Sequence, residues 1–161
     1  MTDVRPFLSS PPDLATGCRP VADAVELAAH HRIRRAVFCA EQHLFDGSDR
    51  DGHDDESATV HVLGLVDGEP AGSVRLYPLT GALWHGDRLA VLPEYRRSRI
   101  GAQLVRLAVA LGGERGGERM QARVQLPNVP FFVHLGWTPT GPPTDHLGVP
   151  HQWMAIPLGP A

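Results

Sequence analysis

The sequence predicts a mixed α/β domain of the α+β class, and three observations carry that reading. Two β-rich runs, "TVHVLGLV" and "EPAGSVRLYPL", meet at Asp67-Gly68, the dipeptide that suits a two-residue hairpin turn. "WHGDRLAV" is followed by apolar residues at helical spacing (Ile100, Leu104, Leu107, Ala108, Leu111) and then by "MQARVQL", a β-α-β unit. The chain has 161 residues, 42% of them hydrophobic and 20% charged, which is enough to bury a sizeable core in one domain.

Residues 1–17 hold Pro6, Pro11, Pro12 and small polar residues and are expected to form a flexible N-terminal arm, with the folded domain spanning 18–161. "ADAVELAAHHRIRRAVFCAEQ" is expected to be a helix. Asp23 is its N-cap, Glu26 stands in capping-box register, and Val25, Ala29, Ile33, Ala36, Val37 and Ala40 form its buried stripe. "FDGSDRDGHDDES" is a loop by its glycines and aspartates. After the hairpin and the β-α-β unit, the glycines from Gly112 to Gly117 end the second helix. In "MQARVQL", Met120, Ala122, Val124 and Leu126 take one face and Gln121, Arg123 and Gln125 the other. "PFFVHLG" is a short helix with Gly136 at its C-terminal cap, and "HQWMAIPL" is a last strand.

Charge and composition narrow the function classes. A net charge of −3 gives no electrostatic argument for nucleic acid or an anionic membrane. The two cysteines, Cys18 and Cys39, make neither a disulfide framework nor a zinc motif. No apolar run spans a membrane or reads as a signal peptide, so a cytoplasmic protein is expected.

"EYRRSRIGAQLVRLAVA" sits between a strand ending near Val91 and an amphipathic helix. The first N–H groups of such a helix lack partners and converge, and the helix dipole favours an anion there. Gly101 allows close approach of a ligand to the main chain, and Arg96, Arg97 and Arg99 supply forked donors matched to phosphate oxygens. This is an anion cradle suited to a diphosphate. An exposed helix start with solvated arginines is the alternative.

"RLAVLPEYRRSRIGAQLVRLA" resembles the acetyl-CoA-binding core of the GCN5-related N-acetyltransferases (GNAT), whose pattern is Gln/Arg-x-x-Gly-x-Gly/Ala after a strand. Arg99 replaces the first glycine of that pattern. "VQLPNVPFFVHLGW" resembles the family's next strand and helix through Asn128, Phe131, Leu135, Gly136 and Trp137, with Phe132 in place of the family's frequent tyrosine. The resemblance covers residues 20–158. It implies a GNAT fold with a mostly antiparallel twisted sheet of six to seven strands and about four helices. It also implies acetyl-CoA as co-substrate, bound by Leu89, Ala90, Val91, Arg96, Arg97, Ser98, Arg99, Ile100, Gly101, Ala102, Asn128, Phe131 and Phe132. A narrower likeness, carried by "VFCAEQ", the Asp-rich loop and "LWHGDRLAV", is to bacterial nitrogen-starvation acetyltransferases.

That resemblance implies direct acetyl transfer to an amine, with a main-chain N–H near Val91 facing the thioester carbonyl. The amine must lose a proton. In several family members a carboxylate or histidine lies eleven residues before the Gln/Arg of the pattern, and here that position is His85. An ordinary imidazole titrates near pH 6.5, which suits a general base, and Asp87 shares its strand face and could orient it. Glu41 is the next candidate base. Phe132 cannot protonate the leaving thiolate, which a thiol pKa of about 8.5 makes tolerable.

The acidic loop (Asp46, Asp49, Asp51, Asp54, Asp55, Glu56) fits a cationic acceptor, with a solvated surface loop as the plainer alternative. No metal is expected. Partners are a small-molecule amine and, by the family's habit, a second copy in a homodimer. Two rivals stand. Arg34, Phe38, Asp51, Asp54, Arg75, Leu76 and Arg88 resemble elements of acyl-homoserine-lactone synthases, which lack the arginine-glycine turn. Arg99 and Phe132 would also suit a non-catalytic acetyl-CoA-binding sensor.

Overall fold

The computed structural model describes residues 16–159. The flexible arm expected over 1–17 lies outside them except for Thr16 and Gly17, and these two are ordered: Gly17 opens a strand, and the Thr16 hydroxyl accepts a hydrogen bond from Asp67 N at 2.9 Å.

Eight strands form the sheet: β1 (Gly17–Pro20), β2 (Val60–Val66), β3 (Glu69–Pro78), β4 (Leu83–Val91), β5 (Arg119–Gln125), β6 (Thr138–Pro139), β7 (Thr144–His146) and β8 (Val149–Pro157). Their order is β1-β2-β3-β4-β5-β8-β6, with β7 also paired to β8. The β4–β5 ladder is parallel, whereas β5–β8, β6–β8, β7–β8 and β1–β2 are antiparallel. The α-helices are α1 (Ala24–Arg34), α2 (Ile100–Glu114) and α3 (Val129–His134). A GNAT-type mixed sheet is therefore present, with more strands than the six or seven expected. The surplus comes from short strands whose two to four residues carry no periodicity, namely β1, β6 and β7.

The predicted hairpin turn falls at Asp67-Gly68, whose φ values of 51° and 81° are the paired positive angles that tight hairpins need. Residues 16–49, 61–74 and 89–105 form one compact unit; residues 50–60, 75–88 and 106–159 form a second. β3, β4 and α2 pass through both.

In the first unit, Asp23 caps α1 as expected, accepting from Glu26 N at 2.8 Å. Glu26 reaches the N–H of Ala22, one residue short of a full capping box, and pairs with Arg19. The chain then continues as a π-helix over Arg35–Glu41. The buried stripe differs from the one read off the sequence. Val25 is 78% exposed, and Ala36 and Ala40 also face solvent. The buried positions are Ala29, His30, Ile33, Arg34, Val37 and Phe38, against Leu63, Leu65 and Ala90. Two polar residues belong to that stripe because each is satisfied inside. His30 Nδ1–H donates to Val62 O at 3.0 Å, and its Nε2 accepts from Arg34 Nη1 at 3.2 Å. Arg34 Nε meets Asp49 Oδ2 at 2.8 Å, the two side chains being 0% and 1% exposed. Against the sheet, α2 approaches so closely that a Cβ on Gly72 would lie 2.8 Å from Leu104 and 2.9 Å from Ala90 O.

In the second unit, Trp84, Met120, Ala122, Val124, Met154 and Leu158 are buried on one face of β4, β5 and β8. This matches the predicted alternation in "MQARVQL", apart from Leu126, which lies past the strand end and is exposed. Gly136 follows α3 as its cap with φ 98°, and Trp137 N returns to Phe132 O at 3.0 Å.

Two outcomes follow from the buried polar pairs. Burial lowers the His30 pKa from 6.5 to about 3, aided by Arg34 and His61. Between those values the unfolded chain binds a proton that the folded chain refuses, so stability is full above the unfolded value of about 6.5 and falls as pH drops below it. NMR titration should find the His30 ring neutral to about pH 5 while the thermal midpoint declines over the same range; a His30 titrating near its ordinary value would contradict this. Asp49→Asn leaves the Arg34 guanidinium buried against an uncharged partner and should cost about 3–5 kcal/mol in denaturant unfolding, while a loss under about 1 kcal/mol would show the pair to be incidental.

Candidate active site

The arginine-glycine turn lies within the first unit. After β4 the chain makes a 3-10 turn over Pro93–Tyr95, and α2 begins at Ile100. Ser98 shapes the junction: its hydroxyl donates to Tyr95 O at 2.6 Å and accepts from Ile100 N at 3.3 Å. Gln103 N bonds Arg99 O at 3.1 Å. The N–H groups of Gly101 and Ala102 are then first-turn donors with no protein acceptor among the described residues. Arg97 and Arg99 are exposed beside them. Exposed main-chain donors, a positive dipole end and two guanidiniums fit a diphosphate.

Arg96 is committed differently from the sequence expectation. Its Nε donates to Val91 O at 2.9 Å, and its two Nη atoms grip the Glu41 carboxylate at 2.7 and 2.6 Å. That forked pair ties the end of the π-helix to the turn. The Arg96 hydrogen bonds outweigh desolvation and hold Glu41 below the usual carboxylate range, which weakens it as a base. Leu89, Ala90 and Val91 occupy the end of β4. The β4–β5 ladder stops at Gly86↔Ala122, so these residues lie beyond the last β4–β5 pair.

The second unit holds His85 and Asp87. They share one face of β4, and His85 Nε2 lies 3.6 Å from Asp87 Oδ2. His85 Nδ1 is 3.4 Å from Gln121 Nε2. Its ring is tilted against Tyr77 at 5.2 Å and edge-on to Trp153 at 6.0 Å. Asp87 is itself anchored by Arg75, through Nε at 2.8 Å and Nη2 at 2.7 Å. Arg75 also bonds Asp51 at 2.7 and 3.2 Å and reaches Asp54 at 3.1 Å. Burial opposes ionisation of Asp87, but hydrogen bonds from Arg75 and His85 overcome it and keep the carboxyl well below its ordinary range. Asp87 is thus a permanent anion beside the imidazole.

Arg88 adds backbone strain. It is a non-glycine residue at φ 55° in mid-strand. A regular strand would send it to the face opposite Asp87, yet its guanidinium lies 3.3 Å from Asp51 and 3.5 Å from Asp87. Such a conformation costs on the order of 1–3 kcal/mol and collects at functional sites.

Three of the six acidic residues of the loop are paired with arginines. Asp49 pairs with Arg34, Asp51 with Arg75 and Arg88, and Asp54 with Arg75. Asp46, Asp55 and Glu56 stand outside these arginine pairs, so about half of the loop's charge remains for a cationic acceptor.

Phe132 is buried edge-on to Trp137 at 5.3 Å, whereas Phe131 and Asn128 are exposed at α3. Sequence reasoning passed over Tyr77, Gln121 and Trp153 at the His85 ring. The alternation of β5 had already placed Gln121 on the polar face; Tyr77 and Trp153 had no signal beyond being aromatic in strands.

The acetyltransferase (GNAT) family model matches residues 22–137. Among solved structures, Escherichia coli ElaA superposes with a TM-score of 0.78 at 22% identity, covering 88% of this chain and 99% of that one. An aminoglycoside 6'-N-acetyltransferase complexed with coenzyme A gives 0.72 at 16%, over 89% and 98%. The CoA-dependent acyl-homoserine lactone synthase BjaI, solved with SAM and isopentyl-CoA, gives 0.73 at 19%, over 90% and 83%. At these identities the superpositions establish the fold, and the narrower nitrogen-starvation subfamily is not confirmed by them. No helix among the described residues is long and apolar enough to cross a membrane. With its family pattern matched over most of its length, the chain belongs to the GNAT acetyltransferases and is an acyltransferase.

Proposed function

We propose that the protein transfers the acetyl group of acetyl-CoA directly to the amine of a small acceptor, with His85 as general base. The observation that carries this is the turn Arg96–Ala102, where Ser98 takes the first amide and leaves those of Gly101 and Ala102 presented beside Arg97 and Arg99. The diphosphate docks there. Arg96 serves by pinning the turn to Glu41 and Val91.

β4 carries both Val91, whose N–H faces the thioester carbonyl, and His85. With Nε2–H turned toward Asp87, the lone pair of His85 is on Nδ1 beside the Gln121 amide, and the acceptor amine takes the place of that amide. The amine gives its proton to Nδ1 as it attacks. Asp87 stabilises the resulting imidazolium, and the imidazolium or water returns a proton to the departing thiolate, since Phe132 has none to give.

A second reading has one observation in its favour. Asp51, Asp54, Arg75 and Arg88, which resemble acyl-homoserine-lactone synthase positions, meet in one ion network. Thiol release from long-chain acyl donors with S-adenosylmethionine, set beside acetyl-CoA with an amine panel, separates the two; binding of acetyl-CoA with no thiol release in either assay would favour a sensor.

Gly101→Asp puts a carboxylate and a side chain where the diphosphate docks and should abolish acetyl-CoA binding in calorimetry; wild-type affinity would remove the cradle from the reading. His85→Ala should lower kcat on the order of a hundredfold or more with little change in acetyl-CoA affinity, and an unchanged rate would reassign the base.

A further inference from the structure

We propose that Arg123 is the receptor for a carboxylate on the acceptor, so that the substrate is a short amino acid with its amine at His85 and its carboxylate at Arg123. This rests on the acetyl-transfer reading above and names the substrate class of that site.

The placement follows from strand register. Gln121, Arg123 and Gln125 share the polar face of β5, and Arg123 is directly opposite Trp153 on β8. Its guanidinium lies 4.6 Å from the Trp153 ring centroid. The same ring meets His85 at 6.0 Å, so the proposed base and this cation flank one indole. Gln121 stands two residues from Arg123 along β5, about 7 Å by strand rise, and touches His85. A ligand that spans them needs only a few bonds between its amine and its acid.

Charge sets Arg123 apart from its neighbours. Arg75 and Arg88 are each bound to aspartates. Arg123 has no carboxylate partner among the described residues; its polar contact is His146 Nδ1, to which Nη1 donates. Because Nδ1 accepts, His146 is neutral there. Its pKa is lowered by burial and then by Arg123, His151 and Arg88, all of which disfavour a proton on the ring. His151, whose Nδ1–H donates to Val149 O at 2.7 Å, is neutral or cationic and adds no acid to the site. With the guanidinium over the indole and Nη1 on His146, the Nε and Nη2 side of the fork is left to receive a carboxylate at two points.

At the amine end the sign reverses. Asp51, Asp54 and Asp87 outnumber Arg75 and Arg88 by one. An ammonium meets net negative charge there and a carboxylate meets net positive charge at Arg123, which is the complement of a zwitterion.

The test is thiol release from acetyl-CoA with matched pairs: glycine, β-alanine and 4-aminobutyrate, each against its carboxamide. At least one acid should show a KM tenfold or more below that of its amide. Arg123→Gln should raise that KM tenfold or more while leaving the amide KM and acetyl-CoA affinity unchanged, and Arg123→Lys should recover part of the loss. Amides accepted as well as acids, or an Arg123→Gln effect equal on both, overturns the proposal. If no amine releases thiol, the acetyl-transfer reading fails, and occupancy still decides the site. The Trp153 indole NMR signal, assigned through Trp153→Phe, should shift with the acids and not with the carboxamides; no shift with any acid overturns the carboxylate receptor.

Discussion

The Arg75 guanidinium is 0% exposed, and its burial is the constraint around which the second unit is arranged. A buried cation is tolerable only with its donors met by charge, and here Asp87, Asp51 and Asp54 meet them. Such a cluster is weak evidence for net stability, because desolvation of each ion consumes much of the attraction. Its value is positional. One arginine on β3 fixes Asp87 on β4 and the 3-10 turn at Gly52–Asp55 together, and that turn is closed by its own capping box between Asp51 and Asp54. The carboxylate facing His85 is thereby held in place and held ionised, and the left-handed Arg88 completes the same network.

The first unit solves a similar problem with the same residue type. Arg34 is sealed with Asp49, and Arg96 stitches Glu41 to the end of β4. All fifteen basic residues of the chain are arginines. Each keeps its charge at any working pH and presents a planar fork, which allows burial and two-point contacts that an ammonium would make poorly. The chain also offers no lysine side chain of its own to an acyl donor.

The legible parts of the fold were those governed by periodicity and turn chemistry. β5 alternates buried and half-buried residues from Met120 on, β2 and β3 are the β-rich runs on either side of Asp67-Gly68, and that turn requires its residue types. On the first helix Ala29, Ile33 and Val37 are buried as the spacing predicts, while His30, Arg34 and Phe38 take the places expected for Val25, Ala36 and Ala40. His30 and Arg34 look like surface residues until Val62 O and Asp49 are seen beside them, and those partners are distant in sequence. The site divides the same way. The Ser98–Ala102 turn is local, so spacing revealed it, whereas the carboxylate partners of Arg96 and Arg75 come from 12 to 55 residues away. The acidic loop shows the same limit: six acidic residues in a short stretch imply a field, and only the tertiary structure shows that Asp49, Asp51 and Asp54 are paired with Arg34, Arg75 and Arg88.

The two strands that terminate the sheet order, β1 and β6, have four and two residues, and each ends in a proline, Pro20 and Pro139. A sheet margin grows by lending its unpaired N–H and C=O groups to a foreign strand, and a proline has no N–H to lend. Among the described residues, both margins are therefore short and poor in donors for strand addition. Variants that loosen the described domain should not readily seed fibres from these two margins while the margins themselves stay intact.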